Sequence, residues 1–161
     1  MDERALVLTI SVEALADPAQ DKAAPMLAEA LAAGGLVVER SMVSPDDAGA
    51  ALERAVASHD LVVSCGGAGM RPGDRVPELT RALGEVFLEL PGVMEQVRRL
   101  GADAVPASML SRGACGVVET GGHRCFVLNA PSSRGGARDV ARVLQDLLPH
   151  LLRDLAGESR L

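Results

Sequence analysis

The chain is 161 residues long, 48% hydrophobic and 24% charged, a balance that sets aside disordered and fibrous classes. Sixteen basic against 22 acidic side chains give a net charge of -6, and the aromatic residues are Phe87 and Phe126 alone. The chain therefore lacks a basic footprint for nucleic acid and an aromatic platform on which bases could stack.

Ala5–Ile10 is an unbroken apolar run and predicts a strand buried on both faces. Asp21–Ala33 predicts a helix: Ala23, Leu27, Ala30 and Leu31 share a face, Pro25 sits early, and Gly34-Gly35 stops it. Leu36–Met42 is a second strand. Ser44-Pro45-Asp46-Asp47 starts the next helix, with Ser as N-cap, Pro at the first helical position and acids in the first turn. Ala48, Ala51, Leu52, Ala55 and Val56 form its apolar stripe. Leu61–Ser64 is a third strand that runs straight into Gly66-Gly67-Ala68-Gly69.

A helix near Pro77–Leu83 follows, then a short segment of undecided type around Phe87–Leu90. Val93, Met94, Val97 and Leu100 mark another helix, on which Glu95 and Arg99 are spaced as a surface pair. Gly116–Thr120 and His123–Asn129 form a hairpin turned by Gly121-Gly122. Ala130–Gly136 reads as a loop. Val140 to Leu155 holds helical spacing for about four turns, with Pro149 expected to kink or break it.

The alternating order predicts an α/β fold: a three-layer sandwich with a mostly parallel central sheet, helices on both faces and a hairpin near the C-terminal third. No composition break appears, so residues 1–161 are expected to form one domain. No apolar run has membrane-spanning length, and the N-terminus lacks the charge and length of a signal peptide. Cys65, Cys115 and Cys125 are odd in number and have no CxxC spacing; buried structural thiols in a cytoplasmic protein are expected.

Two glycine-bearing loops follow strands. The first, Cys65–Asp74, can aim successive backbone N–H groups at one anion. The second, Asn129–Gly136, joins Ser132 and Ser133 to a helix N-terminus. One such cluster is most simply a tight turn; two on one sheet edge point to an anion site. There is no Gly-Lys pair, and Pro72 stands where GxGxxG needs its third glycine, so a P-loop and a standard dinucleotide site drop out. Asp74 ends the first loop and Asp46 starts a helix. If both converge there, they would hold a hydrated magnesium against a nucleotide phosphate.

These residues resemble the MogA/MoaB family of molybdenum-cofactor biosynthesis. Gly66-Gly67-Ala68-Gly69, with Asp74 after four further residues, is similar to its GGTGxxxRDxTP signature. Collinear segments extend the resemblance: Gln20-Asp21-Lys22, Pro45-Asp46-Asp47, Glu89-Leu90-Pro91-Gly92 with Glu95 and Arg98, Leu110-Ser111-Arg112 with Gly116-Val117, and Leu128 to Ser133. The resemblance implies a molybdopterin adenylyltransferase, a nucleotidyltransferase that moves AMP from MgATP to molybdopterin and releases pyrophosphate. It implies a homotrimer or hexamer that passes its product to a molybdate-inserting partner enzyme.

Carried over by position, Asp46 and Asp74 are the expected catalytic and magnesium-holding acids. Gly66, Gly67, Ala68 and Gly69 form the phosphate loop, and Ser111, Arg112, Pro131, Ser132 and Ser133 line the pterin and nucleotide pocket. The sequence departs from the pattern at Ala68 and Val76, each in place of a threonine, and at Gly73, in place of an arginine that Arg71 or Arg75, each aimed differently, would have to replace. Ser11-Val12-Glu13 replaces a Ser-Asp step, and Ala130-Pro131-Ser132-Ser133 stands at an LPGSP loop. These changes favour the alternative, a non-catalytic MoaB-like pterin- or nucleotide-binding protein.

Overall fold

Strand side chains alternate between two faces, and here both faces are apolar. The computed structural model describes residues 2–158. Its strands are β1 (Arg4–Ile10), β2 (Val37–Val43), β3 (Leu61–Cys65), β4 (Val86–Glu89), β5 (Cys115–Thr120) and β6 (His123–Ala130). They form one sheet in the order β2-β1-β3-β6-β5-β4. The pairs from β2 to β6 are parallel, and β5 runs antiparallel to both β6 and β4. The segment around Phe87–Leu90 is thus an edge strand.

The helices are α1 (Val12–Ala16), α2 (Ala23–Ala33), α3 (Ala48–Ser58), α4 (Val76–Arg81), α5 (Pro91–Ala104) and α6 (Arg134–Leu155). Ala5, Val7, Leu61, Val63, Phe126 and Leu128 face one core, shared with Leu27 and Leu31 of α2, Met94 of α5 and Leu144 of α6. Leu6, Leu8, Ile10, Val62 and Val127 face the other, against Leu52 and Val56 of α3 and Val76 of α4. Each fully buried leucine contributes about 1.5–3 kcal/mol. Among the described residues, no helix is long and apolar enough to cross a membrane.

The hairpin forms as expected, with Thr120 opposite His123 and positive φ at Gly121 and Gly122. Four expectations are corrected. First, Ser44 makes no side-chain cap; its Oγ bonds Asp47 Oδ2 at 3.1 Å, Pro45–Asp47 is a 3-10 turn, and α3 begins at Ala48. Second, the connection after β6 is only residues 131–133, because the Ser133 hydroxyl accepts the Gly136 N–H at 3.0 Å and caps α6. Third, α6 is not broken at Pro149 but runs on to Leu155. Pro149 and Gln145 lie on the exposed face, so water can bond the freed carbonyl, while Leu144, Leu148, Leu151 and Leu152 hold the helix to the core. Fourth, Glu95 and Arg99 form no ion pair among the described residues; the neighbouring Arg98 instead reaches the carbonyls of Ser111 and Gly113 at 3.2 and 3.4 Å.

All three cysteines are free and buried. Burial, then the charge of Asp21, pushes the Cys65 thiol up to about 12, and burial also raises Cys115 and Cys125. An Ellman titration of native protein should therefore detect no fast-reacting thiol, and all three should react after unfolding in guanidinium.

Candidate functional site

Parallel register brings four strand ends to one edge. Ile10 pairs with Val43, Thr9 with Cys65, and Cys65 with Ala130. The segments that leave these strands enclose a cavity of about 690 Å³. Its wall includes Ser11–Glu13 after β1, Pro45 after β2, Gly66–Arg71 and Gly73–Val76 after β3, and Pro131–Ser133 after β6. It lies at the carboxyl ends of the parallel strands, between β1 and β3, where the chain turns outward in both directions.

Gly66 and Gly67 adopt φ of +106° and +68°, a conformation that L side chains resist. A Cβ on Gly66 would sit 2.3 Å from the Ile10 carbonyl oxygen. A Cβ on Gly67 would meet Val76 Cγ2 at 2.5 Å. The loop thus packs its backbone directly on β1 and α4, with room for no side chain. Gly66→Ala should lower stability by about 3 kcal/mol, from left-handed strain plus a backbone collision; urea unfolding measures it.

The loop then closes on Asp74. Residues Arg71-Pro72-Gly73-Asp74 form a turn in which the Asp74 N–H bonds the Arg71 carbonyl at 3.0 Å. Asp74 Oδ2 accepts the Arg71 N–H in return, also at 3.0 Å. Arg112 braces this loop from outside. Its N–H reaches the Ala68 carbonyl at 2.8 Å, Nε the Gly69 carbonyl at 2.7 Å and Nη2 the Asp74 carbonyl at 3.0 Å, while Nη1 pairs with Glu78. The guanidinium holds Glu78 below the usual carboxylate range. Arg112, expected in the pocket lining, is a scaffold residue behind it. Asn129 is fully buried beneath the site. Its Nδ2 donates to Ser64 Oγ at 3.0 Å and Thr80 Oγ1 at 2.9 Å, and its Oδ1 accepts the Ala114 N–H at 3.0 Å.

The other expected residues divide as follows. Gly66, Gly67, Ala68, Gly69, Asp74, Ser111, Pro131, Ser132 and Ser133 all line the cavity. Ser111 Oγ has no hydrogen-bond partner among the described residues. Asp46 is exposed on the turn after Pro45, one residue outside the wall. Asp74 is a half-buried carboxylate on the wall and Asp46 an exposed one on the turn after β2, and among the described residues no group of three or more His, Cys, Asp or Glu side chains is gathered to hold a metal ion.

Val12, Glu13, Met70, Val105 and Leu110 also line the cavity, in addition to the expected site residues, as do Arg71 and Arg75, the two arginines near the position where the family arginine is missing. The place of Glu13 directly after β1 is the signal that could have found it. Val105 and Leu110 flank or belong to a 3-10 turn after α5, and no local pattern announces them. The Glu13 carboxyl is held below its ordinary range by its own backbone amide, then by the Ser11 hydroxyl 3.1 Å away, and to a lesser degree by Arg71.

The sequence profile of a family described as "Probable molybdopterin binding domain" matches residues 6–151. The fold superposes on the molybdopterin biosynthesis Mog protein from Mycobacterium ulcerans with a TM-score of 0.87 and 36% identity, covering 98% of this chain and 99% of that one. The molybdopterin biosynthesis enzyme MoaB from Thermus thermophilus gives 0.81 and 32%, over 97% of this chain and 98% of the other. A molybdenum cofactor biosynthesis bifunctional protein from Synechococcus elongatus is 31% identical across 95% of this chain but only 47% of its own length. The chain spans about half the length of the curated relatives it matches.

Proposed function

We propose adenylyl transfer to molybdopterin as the reaction of this chain, which belongs to the MogA/MoaB family of molybdopterin-binding domains in molybdenum-cofactor biosynthesis. One observation carries the proposal: four strand-end segments place a glycine loop, a helix N-terminus and the Asp74 carboxylate around a single cavity.

In the reaction, an oxygen of the pterin's terminal phosphate attacks the α-phosphorus of ATP. The bond from that phosphorus to the bridging oxygen breaks, and pyrophosphate leaves. Two anionic groups must approach, so catalysis is mainly positioning and charge neutralisation. The Gly67–Gly69 backbone, after a Gly66 N–H that bonds the Ala130 carbonyl, cradles one phosphate with fixed N–H dipoles. Ser132 and Ser133, at the start of the 22-residue α6, hold a second. The Ser111 hydroxyl, buried and without a partner among the described residues, can turn toward the ligand. Val12, Met70, Val105 and Leu110 give the planar parts of the ligand an apolar wall. Magnesium, when bound by Asp74 with Asp46, supplies further neutralisation of phosphate charge.

The proposal extends to assembly and hand-over: a homotrimer or hexamer, delivering adenylylated pterin to a molybdate-inserting enzyme. The double length of the bifunctional relatives supports such a coupling. Purified protein incubated with MgATP and molybdopterin should yield adenylylated pterin and equimolar pyrophosphate by mass spectrometry. No product, under conditions where an active adenylyltransferase works, defeats the proposal.

A second reading, pterin binding without turnover, is favoured by Gly73. Its φ of +93° excludes the arginine that the family pattern carries there. Calorimetry that finds pterin binding without ATP consumption selects this reading.

A further inference from the structure

Arg71-Pro72-Gly73-Asp74 has the features of a type II turn. Proline stands at its second position, glycine with φ of +93° at its third, and the Asp74 N–H bonds back to the Arg71 carbonyl at 3.0 Å. Such a turn cannot carry an arginine at residue 73 without strain. It does fix the backbone of residue 71 against the Asp74 carboxylate, through the 3.0 Å bond from the Arg71 N–H. An arginine at the first turn position therefore has its backbone held beside the cavity as firmly as the carboxylate is.

The other guanidiniums near the loop are occupied. Arg112 is committed to the Gly69 and Asp74 carbonyls and Glu78. Arg75 Nη1 donates to the Asp74 carbonyl at 3.0 Å. Arg71 is the cavity-lining arginine whose side chain makes no hydrogen bond among the described residues. Glu13, on the facing segment after β1, lines the same cavity and is exposed. In a chain of net charge -6, an incoming phosphate needs a local cation, and this one is free to turn toward it.

We propose that Arg71 is the residue that grips a phosphate of the bound ligand, and that Glu13, on the same cavity wall, competes with that phosphate for its guanidinium. The inference rests on the cavity being a seat for a phosphorylated ligand, as proposed above. The planar fork of arginine binds two phosphate oxygens at once, and Glu13 competes with the phosphate for the same donors.

The test is calorimetric titration of the full chain with two probes, inorganic pyrophosphate and AMP, each with magnesium present. Arg71→Gln should weaken binding of at least one probe about 10–100-fold, the loss of a charge-assisted hydrogen-bond pair. Arg71→Lys, which keeps the charge but not the fork, should recover part of that loss. Glu13→Gln should tighten binding about 2–5-fold, because an exposed competing carboxylate is removed. Arg138→Gln removes the same charge from the exposed face of α6, outside the cavity, and should leave affinity within about 2-fold. Melting temperatures of all variants should match the parent.

Unchanged affinity in Arg71→Gln, with the parent protein binding normally, overturns the inference and leaves the phosphate-seat reading standing. So does a loss carried by Arg75→Gln instead. Failure of the parent protein to bind either probe overturns both.

Discussion

Asp74→Asn should lower the proposed AMP transfer about 10²–10³-fold, the cost of losing one preorganised charge where a phosphoryl group is transferred. The substitution separates charge from structure. Asn keeps a carbonyl oxygen where Asp74 Oδ2 accepts the Arg71 N–H, so the turn stays closed. The Arg112 bonds go to backbone carbonyls and are untouched. The formal charge is lost, and the other carboxylate oxygen becomes an amide donor. Turnover measured beside a melting curve should show a large fall in kcat with the melting temperature unchanged. Activity within about 3-fold of the parent would remove Asp74 from the chemistry. Under the binding-only reading, the same variant retains most of its pterin affinity.

Asn129→Leu lowers stability by about 2–4 kcal/mol, although the two side chains are similar in shape. Asn129 ties β6 to Ser64 on β3, to Thr80 on α4 and to the backbone before β5. Leucine leaves two buried hydroxyls and one buried N–H without that partner, and each unsatisfied group costs about 1–3 kcal/mol. The two hydroxyls can recover part of this by turning toward each other. For a domain of this size the change corresponds to a drop in melting temperature of roughly 5–15 °C. A shift under about 1 °C would show that the network adds nothing to stability. Gly113 lies against the Asn129 carbonyl, where a Cβ would come within 2.4 Å, so the same strand end also sets the position of Ser111. An Asn129→Leu variant that still folds should thus bind ligand more weakly than its stability alone predicts.

Long-period patterns make much of the fold legible. The runs Ala5–Ile10 and Leu61–Ser64 are apolar but for Thr9 and Ser64 because both sides of β1 and β3 are covered, and they are buried along nearly their whole length. Gly121-Gly122 is a turn because both residues take positive φ. Short elements are illegible for a physical reason. Helix α1 has five residues with Ala14 as its buried one, too little to print a stripe. The start of α6 is hidden because Gly135-Gly136 has loop composition, whereas the Ser133 cap overrides that preference. Pro149 misleads because the leucines on the opposite face of α6, Leu144, Leu148, Leu151 and Leu152, hold the helix to the core against its cost, and its own face meets water.

At the site, the glycines and Asp74 are legible because backbone conformation constrains residue type there. Arg112 is legible as a neighbour of the cavity but not in its task. A spacing cannot distinguish a guanidinium that faces a ligand from one that grips loop carbonyls. Asp46 is readable as a helix-start acid, yet its position one residue beyond the wall depends on the register between β1 and β2.

Glycine-loop amides and a neighbouring carboxylate seat a phosphate at the strand ends; this is the claim on which the proposed chemistry depends. A crystal structure of the protein with molybdopterin or AMP and magnesium tests it most directly. The expected result is a phosphate group within hydrogen-bond distance of backbone N–H groups of Gly67–Gly69, beside Asp74. A ligand bound instead in the roughly 550 Å³ apolar groove between α5 and α6, with the strand-end cavity holding no phosphate, would contradict it.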